Sequence, residues 1–370
     1  MKYTLIQALR GLLCVGVVFM HIKMALMGLF PIPSLKGDPS FFAYLPDILG
    51  GIPCGFFAVS GYFMAFLVDR ETPYFLSQRL VRVYPTFLIA VCLAFLLRAF
   101  TTSLLNFDNL FPVLSLLPFG MGKSYKLGIE WTLVYEVSYY FVCAFFCRPK
   151  WSKRFPAFLL AWLFALIAMD TFHGSSTAGF TPPLPLPTIF SLWGSIWNYS
   201  FIMGALTFYY LQRRQEPATL AWTGQVLLAT TCAVSVLNLQ GYGVLYLLGL
   251  LSCVLLDLLI RLEKRVRAPK ILAQLGDYSY ALYLIHPTII ILVLDRWHAI
   301  TGQPPGLVAG LMATVLCFGA FWYLGQIDVA VHKRCKVLVN RILTGGLPLF
   351  LRGFIPKPVV AAVPLERDKP

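Results

Sequence analysis

Runs of apolar residues about as long as a bilayer is thick constrain this chain more than any other feature. A helix that crosses the hydrocarbon core needs roughly 20 mostly apolar residues. Ten such runs follow one another, at residues 5–28, 50–68, 83–100, 130–147, 155–169, 192–211, 220–237, 243–260, 278–295 and 306–329. The fifth is short. Charge is correspondingly scarce: hydrophobic residues make up 58% of the 370 and charged residues 12%. A soluble domain carries about 25% charged residues, because a water-facing surface needs them. Disorder requires low hydrophobicity and high charge, so it is excluded as well. The mean hydropathy of +0.74 thus points to an all-α, polytopic integral membrane protein of about ten transmembrane helices.

The remaining charge sets the orientation. Lys and Arg number 30 against 16 acids, a balance of +14. In a soluble protein that surplus could mean nucleic acid, but no nucleic-acid motif accompanies it. It reads instead as the excess of Lys and Arg that cytoplasmic loops carry. With the N-terminus cytoplasmic, 24 of the 30 fall on cytoplasmic segments and six outside. Both termini are therefore expected in the cytoplasm. The first run has only Lys2 ahead of it, carries Arg10 and lacks a cleavage-like small-residue site, which suits a retained signal-anchor helix. Residues 1–332 form one membrane-embedded domain and residues 333–370 a basic cytoplasmic tail. The half-apolar stretch 101–129 has room for re-entrant or interfacial helices. The TPPLPLP run at 181–187 reads as a stiff external loop.

Nine cysteines lie mostly in apolar runs, with neither CxxC nor a Cys/His ligand spacing. They read as small hydrophobes, with no disulfide and no metal site expected.

Ionisable groups at membrane depth are costly, so each is a functional-site hypothesis. Arg10 and His21 sit eleven residues apart in the first run. That is about three turns, or roughly 16 Å, so both side chains share a face. The structural alternative is an arginine snorkelling to the headgroups and a packing histidine. Glu136, in the fourth run, falls at nearly the depth of His21. A carboxylate there could orient the imidazole as a general base; pairing with any other basic residue is the alternative. His286 lies near mid-membrane beside Pro287, which kinks or loosens its helix. Arg79 and Arg82, at i,i+3 on one helical face, suit phosphate or serve only as topology anchors. Ser60 and Gly61 read as close helix packing. Ser60 makes a weak nucleophile, because GFFAVSG is not a nucleophile elbow. Lys23, Asp257 and Asp328 lie near span ends and read as anchors. His173, His298 and His332 receive no role. The remaining groups form a path: arginines at the cytoplasmic mouth, His286 near the middle, His21 and Glu136 towards the outside.

At these residues the chain resembles the membrane acyltransferase-3 family. The first run carries R-x10-H through Arg10 and His21, and the second FF-x-x-SG as Phe56, Phe57, Ser60 and Gly61. RLVRVYP opens the third, W-T-L-x-x-E is met by Trp131, Thr132, Leu133 and Glu136, and LIHP supplies His286. Each motif alone is weak, but their order over residues 6–287 is specific. IQALRG and WTLVYE look closest to members that modify exopolysaccharides. The resemblance implies transfer of an acyl group, usually acetyl, from cytoplasmic acyl-CoA to a hydroxyl of an extracytoplasmic glycan. The acceptor would be a glycan or lipid-linked glycan such as exopolysaccharide or O-antigen, at the bacterial inner membrane. It implies His21 as base, Glu136 as its orienter and Arg10 as an aid to placing the donor. Arg79, Arg82 and Tyr84 would bind the donor, and Trp131, Tyr135, His286 and Ser60 would line the substrate path. Acetyl-CoA enters as co-substrate; no bound cofactor, metal or nucleic acid is implied. Direct transfer and an acyl-histidine relay remain equally compatible with the sequence. A proton-coupled transporter of a sugar or lipid-linked glycan is the alternative, with His21 and Glu136 as a relay. It would typically show an inverted repeat, which the sequence does not display.

Overall fold

The computed structural model describes residues 3–29, 36–45, 50–99, 110–119, 126–173, 188–213, 243–263 and 265–345. Among these residues the chain is all α, as lipid demands of a backbone that must satisfy its own hydrogen bonds. The helices are α1 (Thr4–Leu26), α2 (Ile52–Asp69), α3 (Phe75–Arg98), α4 (Leu110–Ser115), α5 (Glu130–Phe146) and α6 (Phe155–His173). There follow α7 (Ile189–Trp193), α8 (Trp197–Arg213), α9 (Gly243–Leu262), α10 (Lys270–Thr301) and α11 (Leu307–Gly345). Seven helical stretches among the described residues are long and apolar enough to cross a membrane. The protein is a multi-pass membrane protein.

Nine of the ten expected spans coincide with described helices, and the span expected at 220–237 lies outside the described residues. Several bounds differ. The third span starts at Phe75 rather than residue 83, so Arg79 and Arg82 are within α3. The fifth, short in sequence, reaches His173. The sixth is not one helix but two, α7 and α8, broken around Gly194. The break leaves carbonyls at the end of α7 without helical partners, and two side chains supply them. Asn198 Nδ2 donates to the Leu192 and Trp193 carbonyls at 2.7 and 3.1 Å, and Trp162 Nε1 donates to Trp193 at 3.0 Å. The last helix crosses the expected 332/333 boundary without interruption. Its 39 residues span about 58 Å, well beyond a bilayer core of roughly 30 Å.

Two helix pairs cross with almost no space between their backbones. A Cβ on Gly276 of α10 would sit 1.8 Å from the Gln7 carbonyl oxygen of α1. A Cβ on Gly61 of α2 would sit 2.0 Å from the Phe201 carbonyl oxygen of α8, and Gly204 meets the Ala58 oxygen at the same distance. Close packing is thus the role of Gly61, as its residue type suggests. α11 packs along α10, and α9 packs on α2 and α8. This gives two bodies, α1–α10–α11 and α2–α8–α9, with α3 and α5 bridging them.

The start of α1 is capped from far along the chain. Tyr3 offers no side-chain cap. Instead the Glu263 carboxylate accepts from the Thr4 and Leu5 backbone N–H groups at 2.8 and 2.7 Å, and from Thr4 Oγ1 at 2.8 Å. Negative charge at a helix N-terminus is favourable, because unpaired N–H groups and the helix dipole meet it there. Burial pushes the Glu263 carboxyl upward. The hydrogen bonds from Leu5 and Thr4, together with the Arg267 charge, outweigh it and hold the group below its ordinary value.

Candidate functional site

Between the two bodies lies a cavity of about 380 Å³, lined by α1, α2, α3, α5, α8 and α10. Its wall on α1 runs from Gln7 to Met24, roughly 25 Å of helix, which approaches the thickness of a bilayer core. One end is basic, with Arg10, Arg79 and Arg82 in the wall; the other holds His21, Trp131 and Trp197.

The helical spacing in the sequence explains who faces inward. Arg10 and His21, three turns apart on α1, both line the cavity. Ser60 lines it too, while its neighbour Gly61 is turned against α8. Glu136 and Tyr140, one turn apart on α5, face it together, and the Tyr140 hydroxyl donates to the Glu136 carboxylate.

At the basic end the three arginines differ. Arg82 Nη1 reaches both oxygens of Asp328 on α11, at 2.9 and 3.0 Å. Its guanidinium also lies 5.0 Å from the centre of the Tyr280 ring, a favourable cation–π placement. Asp328 is 0% exposed and takes a further hydrogen bond from Thr86 Oγ1 at 2.6 Å. Arg10 Nη1 donates to Gln7 at 3.2 Å and lies within reach of the Glu136 charge. Arg79 contrasts with both: its Nε is buried with no hydrogen-bond partner. A buried, unsatisfied guanidinium nitrogen in a cavity wall is the kind of exception that a ligand's anionic oxygen resolves.

At the other end His21 Nδ1 lies 2.7 Å from His286 Nε2, with the rings nearly parallel at 10°. This revises the expected pairing. The imidazole partner is His286, and Glu136 shares the same cavity but takes the Tyr140 hydroxyl. Depth along two helices does not fix azimuth, and α10 rather than α5 packs on the His21 face of α1. His286 is itself 0% exposed and does not line the cavity; it stands behind His21 instead of on the substrate path.

Two other expected positions move out of the site. Tyr84 is two residues beyond Arg82, about 200° further round the helix. Its hydroxyl donates to the Ser115 carbonyl of α4 and it does not line the cavity. Tyr135 is buried in an aromatic cluster, with ring centres 5.8 Å from Phe57, 6.1 Å from Trp131 and 6.3 Å from Tyr139. Trp131 does line the cavity, and the second aromatic wall beside it is Trp197, 5.1 Å away. The break after α7 sets Trp197 at the first position of α8. Tyr283 and Thr132, which share a 2.6 Å hydrogen bond, close the wall between α10 and α5.

Sequence reasoning read Asp328 only as an anchor near a span end and passed over Tyr140, Tyr283 and Trp197. For Asp328 the signal was present, since an acid inside the last apolar run meets the criterion applied to Glu136. Tyr140 sits at i+4 from Glu136, a spacing at which side chains meet. Trp197 carried none, because the break that aims it was read as part of one span.

Comparison with known proteins adds a family to this geometry. A family model described as an acyltransferase domain, acyltransferase-3, matches residues 4–323. No curated protein and no solved structure matches the chain. The matched region contains every residue of the cavity wall.

Proposed function

The chain belongs to the acyltransferase-3 family, and from that premise we propose that it transfers an acetyl group from cytoplasmic acetyl-CoA to a hydroxyl of an extracytoplasmic glycan. One observation carries the proposal: a single cavity joins a guanidinium-lined end to an imidazole-lined end along nearly the whole of α1. CoA is polyanionic at one end and carries its thioester at the tip of a long arm. Arg79 and Arg82 suit its phosphates, with Arg10 one step deeper. Threaded from that end, the arm brings the thioester towards His21.

The reaction then needs one proton carried. The acceptor oxygen attacks the thioester carbonyl while His21 takes the hydroxyl proton. The new C–O bond forms, the C–S bond breaks, and the proton passes to the departing thiolate of CoA. Trp131 and Trp197 offer flat apolar faces of the kind a sugar ring packs against. Exopolysaccharide or O-antigen, free or lipid-linked, is the acceptor class we propose. The bacterial inner membrane, with the arginine end towards the cytoplasm, is the proposed setting.

Sealed membrane vesicles supplied with labelled acetyl-CoA test this directly. Label should appear on the host glycan with the wild-type chain and be lost with His21→Ala. Labelled glycan from the His21→Ala protein would remove His21 from the chemistry. A vesicle that moves glycan without consuming acetyl-CoA would restore the transporter alternative.

A further inference from the structure

We infer that His286 is a positioning residue that fixes the tautomer of His21, leaving Nε2 of His21 as the basic nitrogen presented to the cavity. The inference deepens the proposed acyl transfer and rests on that reading only for its catalytic consequence.

The hydrogen bonds allow one assignment. His286 Nδ1 lies 3.1 Å from the Leu282 carbonyl oxygen. Carbonyl oxygens only accept, so Nδ1 of His286 carries the hydrogen. A neutral imidazole has one N–H, which makes Nε2 of His286 an acceptor. The atom facing it at 2.7 Å, Nδ1 of His21, must therefore donate. Neutral His21 then has its lone pair on Nε2. His21 lines the cavity and His286 does not, so the ring edge opposite the His286 contact is the one turned to the substrate. When Nε2 takes a proton, Nδ1 still donates to His286. The contact thus persists through a catalytic cycle without rearrangement.

The partner is neutral, and that matters. A carboxylate behind His21 would hold a proton on the ring more tightly. A neutral imidazole fixes direction while leaving His21 free to give the proton up, which a base that must also protonate the leaving thiolate requires. Tautomer control of this kind is how a catalytic histidine is commonly held by its second ring nitrogen.

The chain has five histidines, few enough for nitrogen-15 magnetic resonance on detergent-solubilised full-length protein labelled only at histidine. The His21 signals are identified by their loss in His21→Gln. The wild type should show a protonated Nδ1 and an unprotonated Nε2 at His21. His286→Leu should release the tautomer, and His286→Gln should retain it, because an amide oxygen can accept from His21 while its NH₂ donates to the Leu282 carbonyl. Acetyl transfer in vesicles with acetyl-CoA should follow the same order. We expect kcat to fall on the order of a hundredfold in the leucine variant, with KM for acetyl-CoA unchanged, and to return most of the way with glutamine. A wild-type His21 protonated on Nε2 overturns the inference, whatever the variants do and even if neither folds. So does a leucine variant with unchanged tautomer and unchanged kcat. A tautomer that follows residue 286 in a protein that transfers no acetyl group would uphold the inference and refute the proposed reaction.

Discussion

At the arginine end of the cavity Arg82 is met by a carboxylate, Asp328; at the histidine end His21 is met by another imidazole, His286. The two partners differ because the two groups differ. A guanidinium is charged at every accessible pH, so at membrane depth it needs an opposite charge and full hydrogen bonding. An imidazole can sit neutral, so it needs only an acceptor. The first pairing fixes a charge in place and the second leaves a proton free to move. Arg79 belongs to neither scheme, since its Nε has no partner.

The largest expected effect lies at the histidine end. His21→Ala should lower acetyl transfer by roughly 100- to 10,000-fold, the range that general base catalysis supplies. The protein should remain inserted, which protease protection of the vesicles checks. Next come the arginines, where two variants divide the comparison. Asp328→Ala leaves Arg82 without its counter-charge and should destabilise by about 2–3 kcal/mol, read as a drop in thermal midpoint in detergent. The lower end applies because the Arg82 side chain is 25% exposed. Arg79→Ala should weaken acetyl-CoA affinity with no such drop, measured by donor titration. Equal stability losses for both variants would erase the distinction between a tied and an available arginine.

Smaller effects test the frame around the cavity. Gly276→Ala places a methyl group against the Gln7 carbonyl and should cost about 1–3 kcal/mol. The same change at Gly319 of α11, where a Cβ meets nothing within 4 Å, should not destabilise. The smallest effect concerns Glu263. Its carboxyl is held below its ordinary value, so its contribution is present above about 4.5 and fades as pH falls through the lower folded value. Glu263→Gln should lower stability by about 1 kcal/mol near neutrality and remove that part of the acid sensitivity. An unchanged acid profile would show that the cap does not depend on charge.

Which parts of this were legible in the sequence follows from what periodicity can encode. Helix existence was, because apolar length is a one-dimensional signal. So was the shared face of Arg10 and His21, which depends on one helix alone. The partner of His21 was not. Choosing between Glu136 and His286 requires knowing that α10, about 250 residues away, packs on α1, and that contact depends on Gly276 meeting the Gln7 backbone. Tyr84 and Tyr135 misled for the same reason: each is near a site residue in sequence but turned elsewhere by the helix it sits on. The break between α7 and α8 escaped because Asn198 and Trp162 repair it with side chains that read as ordinary residues of an apolar run.

The glycine crossings carry one more consequence. Each welds two helices into a unit that tolerates little change, and the cavity is the seam where the two units meet. A seam can be re-cut without disturbing the pieces it joins. Wall residues such as Trp197 and Tyr283 are then free to drift with the guest they accommodate, while Gly61, Gly204 and Gly276 are not. In a protein built this way, choice of substrate and ability to fold are held by different residues, and the first can change while the second stands still.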